Sequence, residues 1–264
     1  MRIELSVILQ IILESLPISS SGNLALFGLS LPTQINYATH GATLLIYALF
    51  FRKKLLTLLF HPIRCYKNIL EAMLFGTLAL IPTLACYALI EHTLPAFPLW
   101  LGFLITSLAL FSANITISPK GILSIGAKRT ILRTQNVSKG AWVETGRTAF
   151  IIGCAQGIAL LPGISRLGIT YATGRWLGLS WRTSFAFSCM IEAPLLIVAS
   201  LKGLFDLRAE IVQVSIAALT GYILATVISY LMLCVVYKMA QENSWRIFGV
   251  YTAILASVAY MIVV

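Results

Sequence analysis

The chain has 264 residues, 59% of them hydrophobic and 11% charged, with a formal net charge of +10 and a mean hydropathy of +0.91. A soluble domain carries about 25% charged residues, so this composition excludes a water-soluble globular protein and points to one embedded in a bilayer. The apolar runs are continuous and not alternating, which excludes a transmembrane β-barrel.

A helix crossing about 30 Å of hydrocarbon needs roughly 20 mostly apolar residues. The stretches 31–51, 69–90, 94–117, 183–201, 211–237 and 247–264 meet that need. Two further regions, 1–30 and 141–180, are apolar but broken in the middle by polar, proline-containing turns. Each is predicted to be a re-entrant helical hairpin whose turn faces protein or a wet cavity, because non-helical backbone at membrane depth is tolerated only there. The expected fold is one all-α integral membrane domain of six transmembrane helices plus two re-entrant hairpins. Its halves, 1–117 and 141–264, are joined by a basic loop at 118–140. Met1-Arg2-Ile3-Glu4 opens an apolar run without a small-residue cleavage site and is read as mature sequence. The five cysteines, Cys65, Cys86, Cys154, Cys189 and Cys234, lie singly in apolar segments and read as small core residues.

The first hairpin carries Gln10 and Glu14 on one helix face, followed by Leu16-Pro17-Ile18-Ser19-Ser20-Ser21-Gly22-Asn23. A carboxylate within the membrane is costly and marks a functional site by default. Hydroxyls and backbone N–H groups at a helix start suit an anionic oxygen, although N-capping would occupy one of the three serines. Across the first crossing sits His40, a candidate for proton transfer or for plain packing. The second hairpin repeats the first: Leu161-Pro162-Gly163-Ile164-Ser165-Arg166-Leu167-Gly168 has the same Leu-Pro, Ile-Ser and closing Gly. Arg166 offers a permanent planar fork matched to phosphate oxygens and needs an anionic partner at that depth. Glu192 lies mid-span in the fourth crossing, with Arg166 or His40 as its expected partner. Trp100, Trp142, Trp176, Trp181 and Trp245 fall near span ends and read as interfacial anchors.

Short cytoplasmic loops retain Lys and Arg. On the predicted topology, 15 of the 19 Lys and Arg residues fall on one side, 3 on the other, and Arg166 at the turn. The basic excess is thus a topology signal, and nucleic acid is not an expected partner. The hairpin of 1–30 then enters from outside and that of 141–180 from inside, the signature of inverted repeats that meet at the midplane. Both termini are expected outside.

These motifs resemble those of the undecaprenyl-diphosphate phosphatases, the bacterial bacitracin-resistance membrane phosphatases. Gln10-x-x-x-Glu14 with Pro17-Ile18-Ser19-Ser20-Ser21-Gly22 resembles the family's (Glu/Gln)-x-x-x-Glu element and Pro-x-Ser-Ser-x-Gly turn. Pro162 to Thr170 resembles its Pro-Gly-x-Ser-Arg-Ser-Gly-x-Thr signature, continued by Gly178-Leu179 through Phe187-Ser188, and His40-Gly41-Ala42-Thr43 before Phe51-Arg52-Lys53 resembles its second segment. The resemblance implies hydrolysis of a polyprenyl diphosphate to the monophosphate and inorganic phosphate. That reaction recycles the lipid carrier of cell-wall synthesis and confers bacitracin resistance, in the bacterial inner membrane with a pocket opening to the outer face. It implies a divalent cation, Mg2+ or Ca2+, with Glu14 as the candidate ligand. Glu14 would be the principal carboxylate, Gln10 its companion, Ser20 the nucleophile or nucleophile-positioning hydroxyl, and Arg166 the phosphate clamp beside Ser165. Ser19, Ser21, Asn23, Gly163, Thr170 and Glu192 complete the expected substrate contacts, and His40 is a further catalytic candidate. The expected partners are the lipid substrate, membrane lipids and, as an open alternative, a second copy of the chain.

Two positions depart from the pattern: Asn23 stands where the family turn ends in Gly-His, and Leu167 replaces the Ser after the Arg. Either His40 and Glu192 carry the proton traffic, or metal-activated water with Glu14 suffices, or the chain binds its lipid with weak turnover. Inverted repeats also suit a polyprenyl-phosphate transporter or flippase, whereas a purely structural subunit leaves Glu14, Arg166 and Glu192 unexplained.

Overall fold

A computed structural model describes residues 2–93, 97–113, 115–117, 123–125, 139–207 and 216–263. The basic loop expected at 118–140 lies outside the described residues apart from 123–125 and 139–140. The described chain is helical except for one small hairpin. In order it runs α1 (Arg2–Glu14), α2 (Ser20–Leu26), α3 (Thr33–Phe50), α4 (Arg52–Phe60), α5 (Pro62–Thr93), α6 (Leu99–Ser112), β1 (Ile115–Ile117), β2 (Leu123–Ile125), α7 (Lys139–Ile158), α8 (Arg166–Trp176), α9 (Trp181–Leu207), α10 (Ile216–Gln241) and α11 (Arg246–Val263).

Among the described residues four segments are long and apolar enough to cross a membrane: Met73–Ile90, Trp181–Leu207, Leu219–Gln241 and Arg246–Val263. This is a multi-pass membrane protein. The span expected at 94–117 is shorter than its apolarity suggested, because α6 stops at Ser112 and Ile115-Thr116-Ile117 pairs antiparallel with Leu123-Ser124-Ile125. Three successive β-branched residues, Ile115, Thr116 and Ile117, favour that strand over another helical turn. Helix α4, read as loop from its Arg52-Lys53-Lys54 start, exposes Leu55, Leu56, Leu59 and Phe60. That mixture of basic and apolar surface suits the membrane interface.

Both broken regions end their first helix shortly before a proline, since the residue ahead of Pro is pushed out of the helical region. Helices α2 and α8 then close alike, each on a glycine of positive φ followed by leucine. Leu29 N donates to Leu24 O at 2.8 Å and Leu179 N to Gly174 O at 3.0 Å, so the orphan carbonyls are satisfied by the same device.

Helix α3 packs on α9 and α6 on α11, while α5 lies against α7 and α10 against α1. Small residues let these backbones approach, as is usual between helices in lipid. A Cβ on Gly153 would collide with Ala79 O, and one on Gly203 with Ala38 N. Thr83 Oγ1 donates to Gly153 O at 2.9 Å, and Ser229 Oγ to Ile11 O at 2.7 Å, which ties α5 to α7 and α10 to α1. The exterior is apolar, with Leu204, Leu224, Val250 and Met261 exposed, and the polar side chains are gathered inside. Trp245 is no interfacial anchor: it is buried against Tyr171, ring centroids 3.9 Å apart, and donates to Val236 O at 3.0 Å. Cys189 is buried and Cys86, Cys154 and Cys234 are partly so, all four as free thiols; the side chain of Cys65 lies outside the description.

Candidate active site

The two broken turns touch. A Cβ on Gly22 of the first would lie 2.9 Å from Gly163 Cα of the second, and one on Gly168 would lie 3.3 Å from Pro17 O. Each turn is shaped by its own sequence. In the first, Ser19 adopts φ 62 and ψ 88, a left-handed conformation that costs a non-glycine residue about 1–3 kcal/mol and persists only where its surroundings impose it. The Asn23 amide supplies that constraint, donating to Ile18 O and to Ser19 O, each at 2.9 Å. In the second turn Gly163 has φ 82 and no room for a side chain beside Leu99 O. Thr106 of α6 donates to Gly163 O at 3.1 Å and accepts from Ser165 N at 3.0 Å. Ser165 caps α8 by accepting from Gly168 N at 3.1 Å, and Arg166 is the first residue of that helix.

Glu14, the last residue of α1, is the hub. Its Oε2 accepts from Ser20 Oγ at 2.5 Å and from Gln10 Nε2 at 2.7 Å, and the same Gln10 nitrogen reaches Ser20 Oγ at 3.0 Å. Its Oε1 forms an ion pair with Arg166 Nη2 and lies 3.4 Å from His40 Nδ1, which has no hydrogen-bond partner among the described residues. Arg166 Nε is 3.2 Å from Glu192 Oε1, and Glu192 Oε2 accepts from Tyr47 OH at 2.7 Å. Glu14, Glu192, His40 and Ser20 are all buried. Two carboxylates and one guanidinium therefore share a buried site at the meeting point of α1, α2, α3, α8 and α9, where each polar contact is stronger than in water.

A cavity of about 550 Å³ opens on this cluster. Of the residues expected from sequence, Gln10, Glu14, Ser19, Ser20, Ser21, His40, Ser165, Arg166 and Glu192 line it, and the expected Arg166–Glu192 pair is formed. Asn23, Gly163 and Thr170 stand outside its wall. The Asn23 side chain is used up within the protein: besides its two donations its Oδ1 accepts from Tyr251 OH of α11 at 2.6 Å. Thr170 Oγ1 donates back to Arg166 O at 2.7 Å, a bond internal to α8. Gly163 serves the close approach of the turns and α6. Away from the charges the wall is apolar, formed by Leu80 and Leu84 of α5 and Leu195 and Val198 of α9, and Leu84 and Val198 are also exposed on the exterior. The sequence reading missed Tyr47. It follows His40 by seven residues, two helical turns along the same face of α3, so a mid-span phenol in register with His40 was the available signal.

The bacitracin resistance protein BacA family model matches residues 5–258. Curated relatives include an undecaprenyl-diphosphatase of Elusimicrobium minutum (strain Pei191), 29% identical over 90% of this chain and 88% of the relative. One of Desulfosudis oleivorans (strain DSM 6200 / JCM 39069 / Hxd3) is 29% identical over 97% of this chain and 95% of its own. A third, of Gemmatimonas aurantiaca (strain DSM 14586 / JCM 11422 / NBRC 100505 / T-27), is 30% identical over 96% and 94%. With a match spanning nearly its whole length, on both turns and the buried cluster between them, this chain belongs to the bacitracin resistance protein BacA family.

Proposed function

We propose that the chain is an undecaprenyl-diphosphatase, releasing inorganic phosphate from undecaprenyl diphosphate and leaving the monophosphate in the membrane. The observation that carries this is the Ser20 hydroxyl donating to Glu14 at 2.5 Å with Arg166 on the same carboxylate. A nucleophile in hydrogen-bond contact with a base, and a fixed positive charge beside it, is what phosphoryl transfer requires. The Leu80, Leu84, Leu195 and Val198 wall supports a prenyl tail lying along it toward the exterior.

Ser20 Oγ attacks the distal phosphorus as Glu14 takes its proton, and the bond to the bridging oxygen breaks, so that undecaprenyl phosphate leaves. Water then attacks the phosphoserine, restoring the Ser20 hydroxyl and freeing phosphate. Arg166 holds the phosphoryl oxygens through both steps. His40, whose Nδ1 faces Glu14 with no hydrogen-bond partner among the described residues, relays the proton from Glu14 out to the cavity. An imidazole on α3 thus takes the place of the one that Asn23 lacks.

A divalent cation fits the oxygen donors present. Gln10 Oε1, on the amide whose nitrogen bonds Glu14, is buried without a partner among the described residues, and Mg2+ or Ca2+ takes carboxylate and amide oxygens together with substrate phosphate oxygens. Glu14 and Gln10 would hold it, and when bound it supplies positive charge to the diphosphate.

The packing pattern supports six crossings with two re-entrant hairpins in inverted halves, 1–117 and 141–264. Exchanging α1 with α7, α3 with α9, α5 with α10 and α6 with α11 maps the four main packing pairs, α3 on α9, α5 on α7, α6 on α11 and α1 on α10, onto themselves. Family membership supports a cytoplasmic-membrane location, and Asn36 and Tyr37 in the cavity wall, at the end of α3 opposite Arg52, Lys53 and Lys54, support a pocket opening outward.

The same symmetry is the one observation that favours a lipid-phosphate transporter instead. Phosphate release from undecaprenyl diphosphate by the purified protein decides between them. Hydrolysis is expected in wild type and lost in Arg166→Ala, whereas flipping in liposomes without phosphate release would establish transport.

A further inference from the structure

Arg166 carries five N–H donors, and the structure accounts for two. Nη2 pairs with Glu14 Oε1 and Nε with Glu192 Oε1. These two contacts occupy the side edge of the guanidinium plane. The end edge, Nη1 with the outer hydrogen of Nη2, has no partner recorded among the described residues, on a side chain that lines the cavity.

Glu192 is not needed to neutralise the arginine, because Glu14 already does so. A second carboxylate buried in hydrocarbon is costly, and this one is held at both ends: Oε1 on Arg166 and Oε2 on the Tyr47 hydroxyl at 2.7 Å. Tyr47 is itself buried and stands outside the cavity wall, so its hydroxyl has no access to a ligand there. What the pair supplies is direction.

We propose that Glu192, braced by Tyr47, is a positioning residue that pins the side edge of Arg166 and reserves its end edge for two phosphate oxygens of the substrate. The proposal rests on the phosphate reading of Arg166 given above. A guanidinium has distinct edges and binds in a forked geometry, whereas an ammonium is a point charge with none. The effect of Glu192 and Tyr47 should therefore exist only while residue 166 is arginine.

The test measures binding of farnesyl methylenediphosphonate, whose P–C–P bridge resists hydrolysis, to the full-length protein in detergent. Against wild type, Tyr47→Phe should bind about threefold more weakly and Glu192→Gln about tenfold, the scale of one charge-assisted contact misaligned or lost. In an Arg166→Lys background neither substitution should weaken binding further. Equal effects in both backgrounds would mean a general packing role and overturn the proposal. Binding by Glu192→Gln as tight as wild type, or tighter, would also overturn it, since Glu192 would then be indifferent to phosphate or compete with it. Tyr47→Phe removes a single oxygen and keeps the test open if Glu192→Gln does not fold. A wild type that binds the diphosphonate but releases no phosphate from undecaprenyl diphosphate would overturn the hydrolase reading and leave the positioning role standing. Hydrolysis by wild type, with both variants binding unchanged, would do the reverse.

Discussion

The two turns share their Leu-Pro and Ile-Ser residues yet are held in shape by opposite means. The first is fixed by side chains: the Asn23 amide bridges Ile18 O and Ser19 O across a strained Ser19, and Tyr251 holds the amide from α11. The second is fixed chiefly by close backbone approach, Gly163 and Gly102 letting the turn settle on α6, where the Thr106 hydroxyl bonds Gly163 O and Ser165 N. The division follows the chemistry each delivers. The first turn brings a hydroxyl onto a carboxylate and needs polar tethers already at hand; the second launches a helix whose first side chain is the guanidinium and needs only a rigid base.

The largest effect is expected on the reacting side. Ser20→Ala should lower turnover by about 10²–10³-fold or more, because it removes the attacking oxygen, and should also lower the melting temperature, because Glu14 and Gln10 lose a buried hydrogen-bond partner. Phosphate release and a melting curve measured together check both halves of that statement. His40→Gln should cost about 10²-fold in turnover, the lower range for a proton-transfer group; an unchanged rate would return the proton work to Glu14 alone.

Gly102→Ala attacks the second turn, since its Cβ would collide with Pro162 O. It should destabilise by about 1–3 kcal/mol, as overpacking does, and misplace Arg166 enough to raise KM. Asn23→His attacks the first. An imidazole donates fewer hydrogen bonds than an amide, so one turn carbonyl loses its partner at a cost of about 1–3 kcal/mol. The melting temperature should fall and activity should not rise. A gain in activity would show that position 23 faces the substrate after all.

The chemistry of the site was legible in sequence where it was written twice or where a charge interrupted an apolar run. Repetition of Leu-Pro and Ile-Ser marked both turns, and Glu14, Arg166 and Glu192 stood out because charge within an apolar run demands a partner. The role of Asn23 was not legible. It depends on Tyr251, 228 positions away, and on the left-handed Ser19, neither of which leaves a local trace. Tyr47 was hidden because a tyrosine in a membrane span passes for an apolar residue until its hydroxyl is seen on Glu192. Trp245 misled for the converse reason: its place near a span end suggested the interface, but Val236 O and Tyr171 draw it into the core.

The most direct test of one site built from two turns is a double-mutant cycle on phosphate release from undecaprenyl diphosphate, using Glu14→Ala, Arg166→Ala and both together. Residues that act as a unit are strongly non-additive. If they serve the same phosphate, the double variant should be no slower than the slower single one. Losses that multiply, each turn contributing as though the other were absent, would contradict the account.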